Sequence, residues 1–486
     1  MGSPRSYKSV LPGFGRSTAA SPTSRRLGGA LVALVLAVAL VAACSGSDSS
    51  SAPPEPAVTG DWNGALQIAE QQLPIGFTFT SDGGTASVPL QGVYDQPLEN
   101  VDLTPEAITF TITGLPGNPA FHGRFDKAGD TITGTFTQSG QDLPLTLHRG
   151  AVPTPLRPQE PHPPWPYPSE DVTYRSGDIT IAGTLTLPEA PGPHPAVVLV
   201  TGSGPQDRDE QIAGHKPFLL LADTLTRAGY AVLRTDDRGV GGTGGDLDTS
   251  DYTDLTDDIM AGLTYLRTRS DIDGNRIGLL GHSEGGYLAP LAAQRPDSNL
   301  AFVILMAGPA VSGSEVLVKQ NELLLRSSGA TPEQVREQVE YVSTLTTLIR
   351  SGDLDQVRRF ATEHNDALPP EQRQPQAAID QLTSPYFDAL IDYDPAPALR
   401  ALHIPVLAFY GTKDMQVPAD QSAPAARADL AGNPEADIHV FDGLNHLMQP
   451  ADTGSPSEYP VIQTTMAPEV LSYVSTWIEK YVPPTR

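Results

Sequence analysis

Three hydrophobic rhythms follow one another along the chain. The first is an uncharged apolar run from Leu27 to Ala43, LGGALVALVLAVALVAA. The second is a period-two alternation between about residues 60 and 150. It shows in Phe77-Thr78-Phe79-Thr80, in Ile108-Thr109-Phe110-Thr111-Ile112 and in Thr131-Ile132-Thr133-Gly134-Thr135-Phe136. Turn formers separate these segments: Asp82-Gly83-Gly84, Pro116-Gly117-Asn118, Gly129-Asp130 and Ser139-Gly140. Alternation of this kind predicts half-buried strands, and with no long helical period among them the segment reads as a small antiparallel β domain, a meander or a barrel. The third rhythm starts near residue 171. Continuous apolar runs such as Pro195–Thr201, Tyr230–Thr235, Arg276–Leu280, Leu300–Ala307 and Ile404–Tyr410 alternate with helical stretches at 217–228, 253–267, from Glu284 on, and 468–481. Runs apolar on both faces fit strands buried in a mainly parallel sheet, and their alternation with helices predicts a doubly wound α/β fold.

Two breaks divide these regions. Residues 44–59, CSGSDSSSAPPEPAVT, are too polar and Ser/Pro-rich to fold and read as a tether. Residues 151–170 include PTPLRPQEPHPPWPYP, a density of proline that predicts a stiff, extended linker. Within the α/β region (171–486) an insertion at about 311–401 is helical in character and separates two core strands, the position of a cap.

Charge narrows the partners. The chain of 486 residues has 31 basic and 57 acidic side chains, a net charge of −26. Residues 1–43 hold five basic residues and no acidic one, so the remainder stands at −31. Such a surface repels phosphate and excludes nucleic acid as the expected partner. The only cysteine is Cys44, which excludes an intrachain disulfide or a thiolate metal cage. Its place is informative. Arg25-Arg26, the 17-residue apolar run and Val41-Ala42-Ala43-Cys44 make a basic, apolar and small-residue series that reads as an export signal over residues 1–43. The run lies at the short edge of the ~20 residues that span a bilayer. Its end resembles the lipobox of bacterial lipoproteins. That resemblance implies a lipidated Cys44 that anchors an exported protein to the outer face of the cell membrane.

The chemistry centres on Gly281-His282-Ser283-Glu284-Gly285, the sole G-x-S-x-G in the chain, set between a strand and a helix. In that setting the pattern is a nucleophile elbow that lifts the Ser283 hydroxyl above the sheet. A serine needs a base, and the fold orders the partners as Ser, then Asp or Glu, then His. Of the later histidines, His364 falls in the cap, His403 precedes a strand and His439 lies inside one. His446 follows the last strand, where side chains face the site of an open sheet. Asp414, after the strand ending at Tyr410, is the expected acid, with Asp420 and Asp442 as competitors. The oxyanion hole is expected from the backbone N–H of Glu284 and one N–H of the Gly202-Ser203-Gly204 loop, Ser203 or alternatively Gly204. Asp207, Arg208, Asp237 and Arg238 read as a structural ion-pair cluster. Tyr386 and Phe387 in the cap are expected to wall an acyl pocket or else to anchor the cap. No metal or other cofactor is expected, because no histidine–glutamate ligand motif is present.

The stretches GSGPQDRDE, RTDDRGVGGTGG, IGLLGHSEGGYLAP, SPYFDALIDYDPAPAL, PVLAFYGTKDMQV and GLNHLMQ resemble the α/β-hydrolase superfamily. Within it the chain is similar to serine aminopeptidase-like and dienelactone-hydrolase-like esterases that carry an N-terminal β domain. The resemblance runs from about Val172 to the C-terminus. It implies hydrolysis of carboxylic esters through an acyl-enzyme, with Ser283, Asp414 and His446 as the triad; the expected substrates are small-molecule esters of short or medium acyl chains. Serine aminopeptidases and thioesterases share the pattern, and a non-catalytic binding lipoprotein is the alternative of another class. Thr201 stands where many relatives have histidine before the oxyanion glycine.

Overall fold

The computed structural model describes residues 58–485, except 69–70, 82, 90–92, 105, 113–114, 116, 118, 127–128, 139, 154–155 and 370–372. The apolar run, Cys44 and most of the tether lie outside the described residues. No helix among the described residues is long and apolar enough to cross a membrane.

The alternating region closes on itself. Strands β1 (Gly60–Ile68), β2 (Gln71–Thr80), β3 (Gly83–Val88), β4 (Val93–Leu103), β5 (Ala107–Ile112), β6 (Ala120–Phe125), β7 (Thr131–Gln138) and β8 (Gln141–Arg149) form a closed barrel. Every neighbouring pair is antiparallel, and β1 meets β8 with Trp62 opposite Arg149. Between the open alternatives of meander and barrel, closure wins because it removes both sheet edges. Alternate residues fill the interior: Trp62, Phe77, Phe79, Phe110, Phe121 and Phe136 are buried. Phe110 packs at ring-centroid distances of 4.9, 5.7 and 5.4 Å from Phe77, Phe79 and Phe121. Eight strands enclose about the volume that such side chains fill.

The second region is an eight-stranded sheet in the order β16-β15-β14-β13-β11-β12-β10-β9. An antiparallel hairpin, β9 (Ser169–Ser176) and β10 (Ile179–Thr186), forms one edge. The other strands, β11 (His194–Val200), β12 (Ala231–Thr235), β13 (Ile272–His282), β14 (Phe302–Met306), β15 (Val406–Gly411) and β16 (Ala436–Phe441), run parallel. β11 shows why its run is apolar throughout. Ala196, Val198 and Val200 face one core and Val197 and Leu199 the other. The first core takes helices α2 (Tyr252–Arg267), α3 (Gly285–Ala293) and α10 (Ala419–Asp429), and the second takes α1 (Pro217–Arg227) and α11 (Pro468–Tyr481). β13 starts at Ile272, earlier than the expected Arg276, because its pairing with β11 carries an irregularity between His194 and Ala196.

The insertion folds as α4 (Gly313–Ser327), α5 (Pro332–Arg350), α6 (Leu354–Ala367), α7 (Gln376–Gln381), α8 (Pro385–Asp392) and α9 (Ala396–Arg400). Side chains cap most of these helices at their N-termini: Ser312 with Glu315, Thr331 with Gln334, Asp353, and Ser384. Leu345, Ile349, Val357, Phe387 and Ile391 form a small core of the cap's own.

The proline-rich segment, expected as an extended spacer, is instead tied down. The Arg157 guanidinium donates to the carbonyls of Ala213 (3.0 Å), Gly214 (3.2 Å), Pro460 (2.8 Å) and Ile462 (3.0 Å). The Gln159 side chain accepts from the Thr465 N–H and donates to the Met466 carbonyl, at 2.7 and 2.8 Å. Pre-set proline backbone lowers the entropy lost in ordering such a strap.

Candidate active site

Four chain segments meet at the carboxyl edge of the central strands, where an open α/β sheet presents its site. The first is the elbow after β13. Ser283 has φ +53°, a left-handed conformation that a non-glycine residue holds only when its surroundings impose it. Its N–H donates to the Met306 carbonyl at 2.9 Å, and the Gly286 N–H donates back to its carbonyl at 2.8 Å. The flanking glycines are required by close approach. A Cβ at Gly281 would collide with the Gly285 carbonyl, and one at Gly285 with the Val200 carbonyl.

The second and third segments follow β15 and β16. Asp414 is buried. Its Oδ1 accepts the N–H groups of Gln416 and Val417, both at 2.8 Å, which fixes the carboxylate plane. Its Oδ2 lies 2.8 Å from Nδ1 of the buried His446. Nδ1 therefore carries the proton toward Asp414, and Nε2 is the nitrogen left with a lone pair. Nε2 has no protein partner among the described residues. The competitors stand elsewhere. Asp442 accepts the Thr412 hydroxyl at 2.9 Å, and Asp420 lies in the first turn of α10, whose N-cap is Pro418. His439 stacks on Tyr473 and His364 on Tyr341, at ring-centroid distances of 4.7 and 3.8 Å.

The fourth segment is the 202–204 loop after β11. Its N–H groups are allotted one by one. Gly202 donates to Glu210 Oε1 at 2.7 Å, and Gly204 donates to the Tyr386 hydroxyl at 2.8 Å. The N–H of Ser203 between them, like that of Glu284, has no acceptor among the described residues. Gly204, the alternative donor, is thus already engaged. The loop base is held by Thr201, whose hydroxyl donates to the half-buried Asp237 at 2.7 Å.

Residues 216–374 match the serine aminopeptidase family, S33. Esterase EstD of Thermotoga maritima is 30% identical over 318 residues, covering 63% of this chain and 68% of that protein. The chain belongs to the α/β-hydrolase superfamily. It is a serine hydrolase of the esterase type. Dipeptidyl peptidase 8 of Homo sapiens is 35% identical over 144 residues, 28% of this chain and 16% of that protein. A solved structure of the Pyrococcus furiosus esterase Pf2001 aligns with a TM-score of 0.42 at 15% identity, covering 68% of this chain and 98% of that one.

Two further groups of residues find their places in the hydrolase. The first is Tyr386 and Phe387, expected either to wall an acyl pocket or to anchor the cap. They sit on consecutive positions of α8, about 100° apart around the helix. Phe387 points into the cap's own core with Ile349, Val357 and Ile391. Tyr386 points the other way and is fully buried. Its hydroxyl donates to Glu284 Oε2 at 2.6 Å while accepting the Gly204 N–H. Both therefore anchor the cap rather than line a cleft. Phe387→Ala is expected to cost about 3–5 kcal/mol of stability through the cavity it leaves. Thermal or urea unfolding checks this, and a loss under 1 kcal/mol would contradict the packing.

The second concerns the ion pairs. Arg208 grips Asp236 with two bonds of 3.0 and 2.7 Å, and Arg238 grips Asp258 with two of 2.6 and 3.0 Å. Asp237 pairs with neither arginine; it accepts Thr201 and the Gln206 N–H, and burial pushes its pKa well up. The four do not pair with one another: each arginine grips a different aspartate, Asp237 holds the oxyanion loop, and Asp207 accepts the N–H groups of Asp209 and Gln211, both at 3.0 Å.

The sequence flags the backbone N–H of Glu284 but not its carboxyl. Burial pushes its carboxyl up to about 7, against the opposing pull of the Tyr386 hydroxyl. Between the ordinary glutamate value and about pH 7 the unfolded chain releases a proton that the folded chain retains. Stability falls as pH rises through that window, by roughly 3 kcal/mol in all. Glu284→Gln is expected to flatten this slope in urea titrations at pH 4, 6 and 8. Parallel slopes in parent and variant would contradict it.

Proposed function

We propose that the protein hydrolyses carboxylic esters of short or medium acyl chains, with Ser283 as nucleophile, His446 as base and Asp414 as the acid that orients it. The observation that carries this reading is the 2.8 Å contact of Asp414 with His446 Nδ1 at the sheet edge where Ser283 holds its left-handed elbow. His446 Nε2 takes the Ser283 proton as Oγ attacks the ester carbonyl. The negative oxygen of the tetrahedral intermediate is received by the N–H groups of Ser203 and Glu284, and the start of α3 adds its positive potential. The protonated His446 then gives its proton to the leaving alcohol. Water attacks the acyl-enzyme by the same route in reverse.

Helix α4 meets this machinery from the cap as well: Gln320 lies 3.4 Å from Gln416, two residues beyond Asp414. Its half-buried Val318, Leu323, Leu324 and Leu325 offer apolar surface for an acyl chain. An aminopeptidase would need a free cap carboxylate for the substrate ammonium. The cap carboxylate Glu322 is already paired with Lys319 and Arg326, at 3.2 and 2.8 Å. We place the enzyme outside the cytoplasm, held to the outer face of the membrane by lipid on Cys44. That reading rests on the signal-like sequence alone, and mass spectrometry of the mature N-terminus tests it.

A panel of p-nitrophenyl acyl esters beside aminoacyl p-nitroanilides tests the substrate class. Turnover of the esters is expected, with kcat/KM falling sharply beyond a limiting chain length. Turnover of the anilides with inert esters would overturn the reading.

A further inference from the structure

A second acid–imidazole pair stands beside the first. His282, the residue before Ser283, is 1% exposed, and Glu210 is 0% exposed. His282 Nδ1 lies 2.8 Å from Glu210 Oε1, and Nε2 lies 3.2 Å from the backbone carbonyl of His446. The rings of His282 and His446 are 4.8 Å apart. Glu210 Oε1 also accepts the Gly202 N–H, and Glu210 holds a left-handed φ of +50°. Its Oε2 has no partner among the described residues.

The proton count follows from the acceptors. A carboxylate oxygen faces one ring nitrogen and a carbonyl oxygen the other. A neutral imidazole donates through one nitrogen and would turn a lone pair on the remaining acceptor, so both contacts call for an imidazolium. A buried carboxylate with an unsatisfied oxygen is costly unless a cation pairs with it, and His282 is the cation in reach. The charged groups facing His282 are Glu210 from the loop after β11 and Asp414 from the loop after β15. Burial opposes its protonation, and both carboxylates favour it, with the net direction upward. The pair touches three of the four segments that build the site: the oxyanion loop through Gly202, the nucleophile strand through His282 itself, and the His446 loop through its carbonyl.

We propose that Glu210 and His282, as carboxylate and imidazolium, are positioning residues that fix the Ser203 N–H, Ser283 and His446 relative to one another for the transition state. This rests on the roles proposed above for Ser283 and His446. Neither side chain reaches the solvent-facing cleft, so substrate binding is not their task. Their loss should appear in the chemical step, because preorganised donors act only when charge develops.

The test compares the parent with Glu210→Gln and His282→Gln. Glutamine at 210 still accepts the Gly202 N–H but removes the charge. Active sites are counted with a fluorophosphonate, and kcat and KM are measured per titrated site on a p-nitrophenyl ester. The expected result is a kcat at least tenfold lower in both variants, with KM within threefold of the parent. A kcat per site within twofold of the parent, with only the melting temperature lowered, would make the pair purely structural and overturn the proposal. If the parent itself takes no label at Ser283, the nucleophile reading fails first and the pair's positioning role falls with it. Should neither variant fold, the ¹⁵N spectrum of histidine-labelled parent decides. Both His282 nitrogens protonated from pH 6 to 8 supports the proposal, and one unprotonated nitrogen in that range overturns it.

Discussion

Ser283→Ala is expected to abolish ester hydrolysis, lowering kcat by ~10⁶-fold, the scale of loss when a triad nucleophile is removed. The variant should fold as the parent does. The Ser283 hydroxyl bonds to no other described residue, and the bonds that shape the elbow come from backbone atoms, the Ser283 N–H to Met306 and its carbonyl to Gly286. Alanine bears the same positive φ at the same cost, since both residues carry a Cβ. An unchanged melting curve beside a rate at the buffer background is therefore the expected pair of results. A tenth of the parent rate in a clean preparation would remove Ser283 from the chemistry.

Asp414→Asn is expected to lower kcat by ~10⁴-fold with little change in stability. The reason is the proton on His446. Asparagine keeps an oxygen for the Gln416 and Val417 N–H groups, so the loop is retained. It then presents an amide NH₂ to Nδ1, which must accept rather than donate. The imidazole turns to the tautomer with its proton on Nε2, the nitrogen that should take the proton from Ser283. Steady-state rates on one activated ester, compared at equal protein, read this directly. A loss under tenfold would mean that the 2.8 Å contact does not set the tautomer in the working enzyme.

What the sequence makes legible here is whatever has a period or a fixed neighbourhood. The β11 run is apolar at every position because both of its faces meet a core. The elbow has glycines where a Cβ would collide, and those glycines are visible as letters. Asp414 and His446 are found by their places after strand ends. Contacts that join ordinary residues across long separations leave no such trace. Tyr386 reaches Glu284 and Gly204 over separations of 102 and 182 residues, and only the rotation of α8 distinguishes it from Phe387. Arg157 binds backbone carbonyls, which exist at every position and mark none. His282 reads as a spacer within G-x-S-x-G until folding brings Glu210, 72 residues away, against its ring.

The central claim is that Ser283 is a hydroxyl made nucleophilic by His446. Its most direct test is the site of a fluorophosphonate adduct, mapped by peptide mass spectrometry on the intact chain. One adduct per molecule on the peptide containing Ser283, forming far more slowly in Asp414→Asn, is the predicted result. An adduct on another residue, or full esterase activity in protein that takes no label, would contradict it.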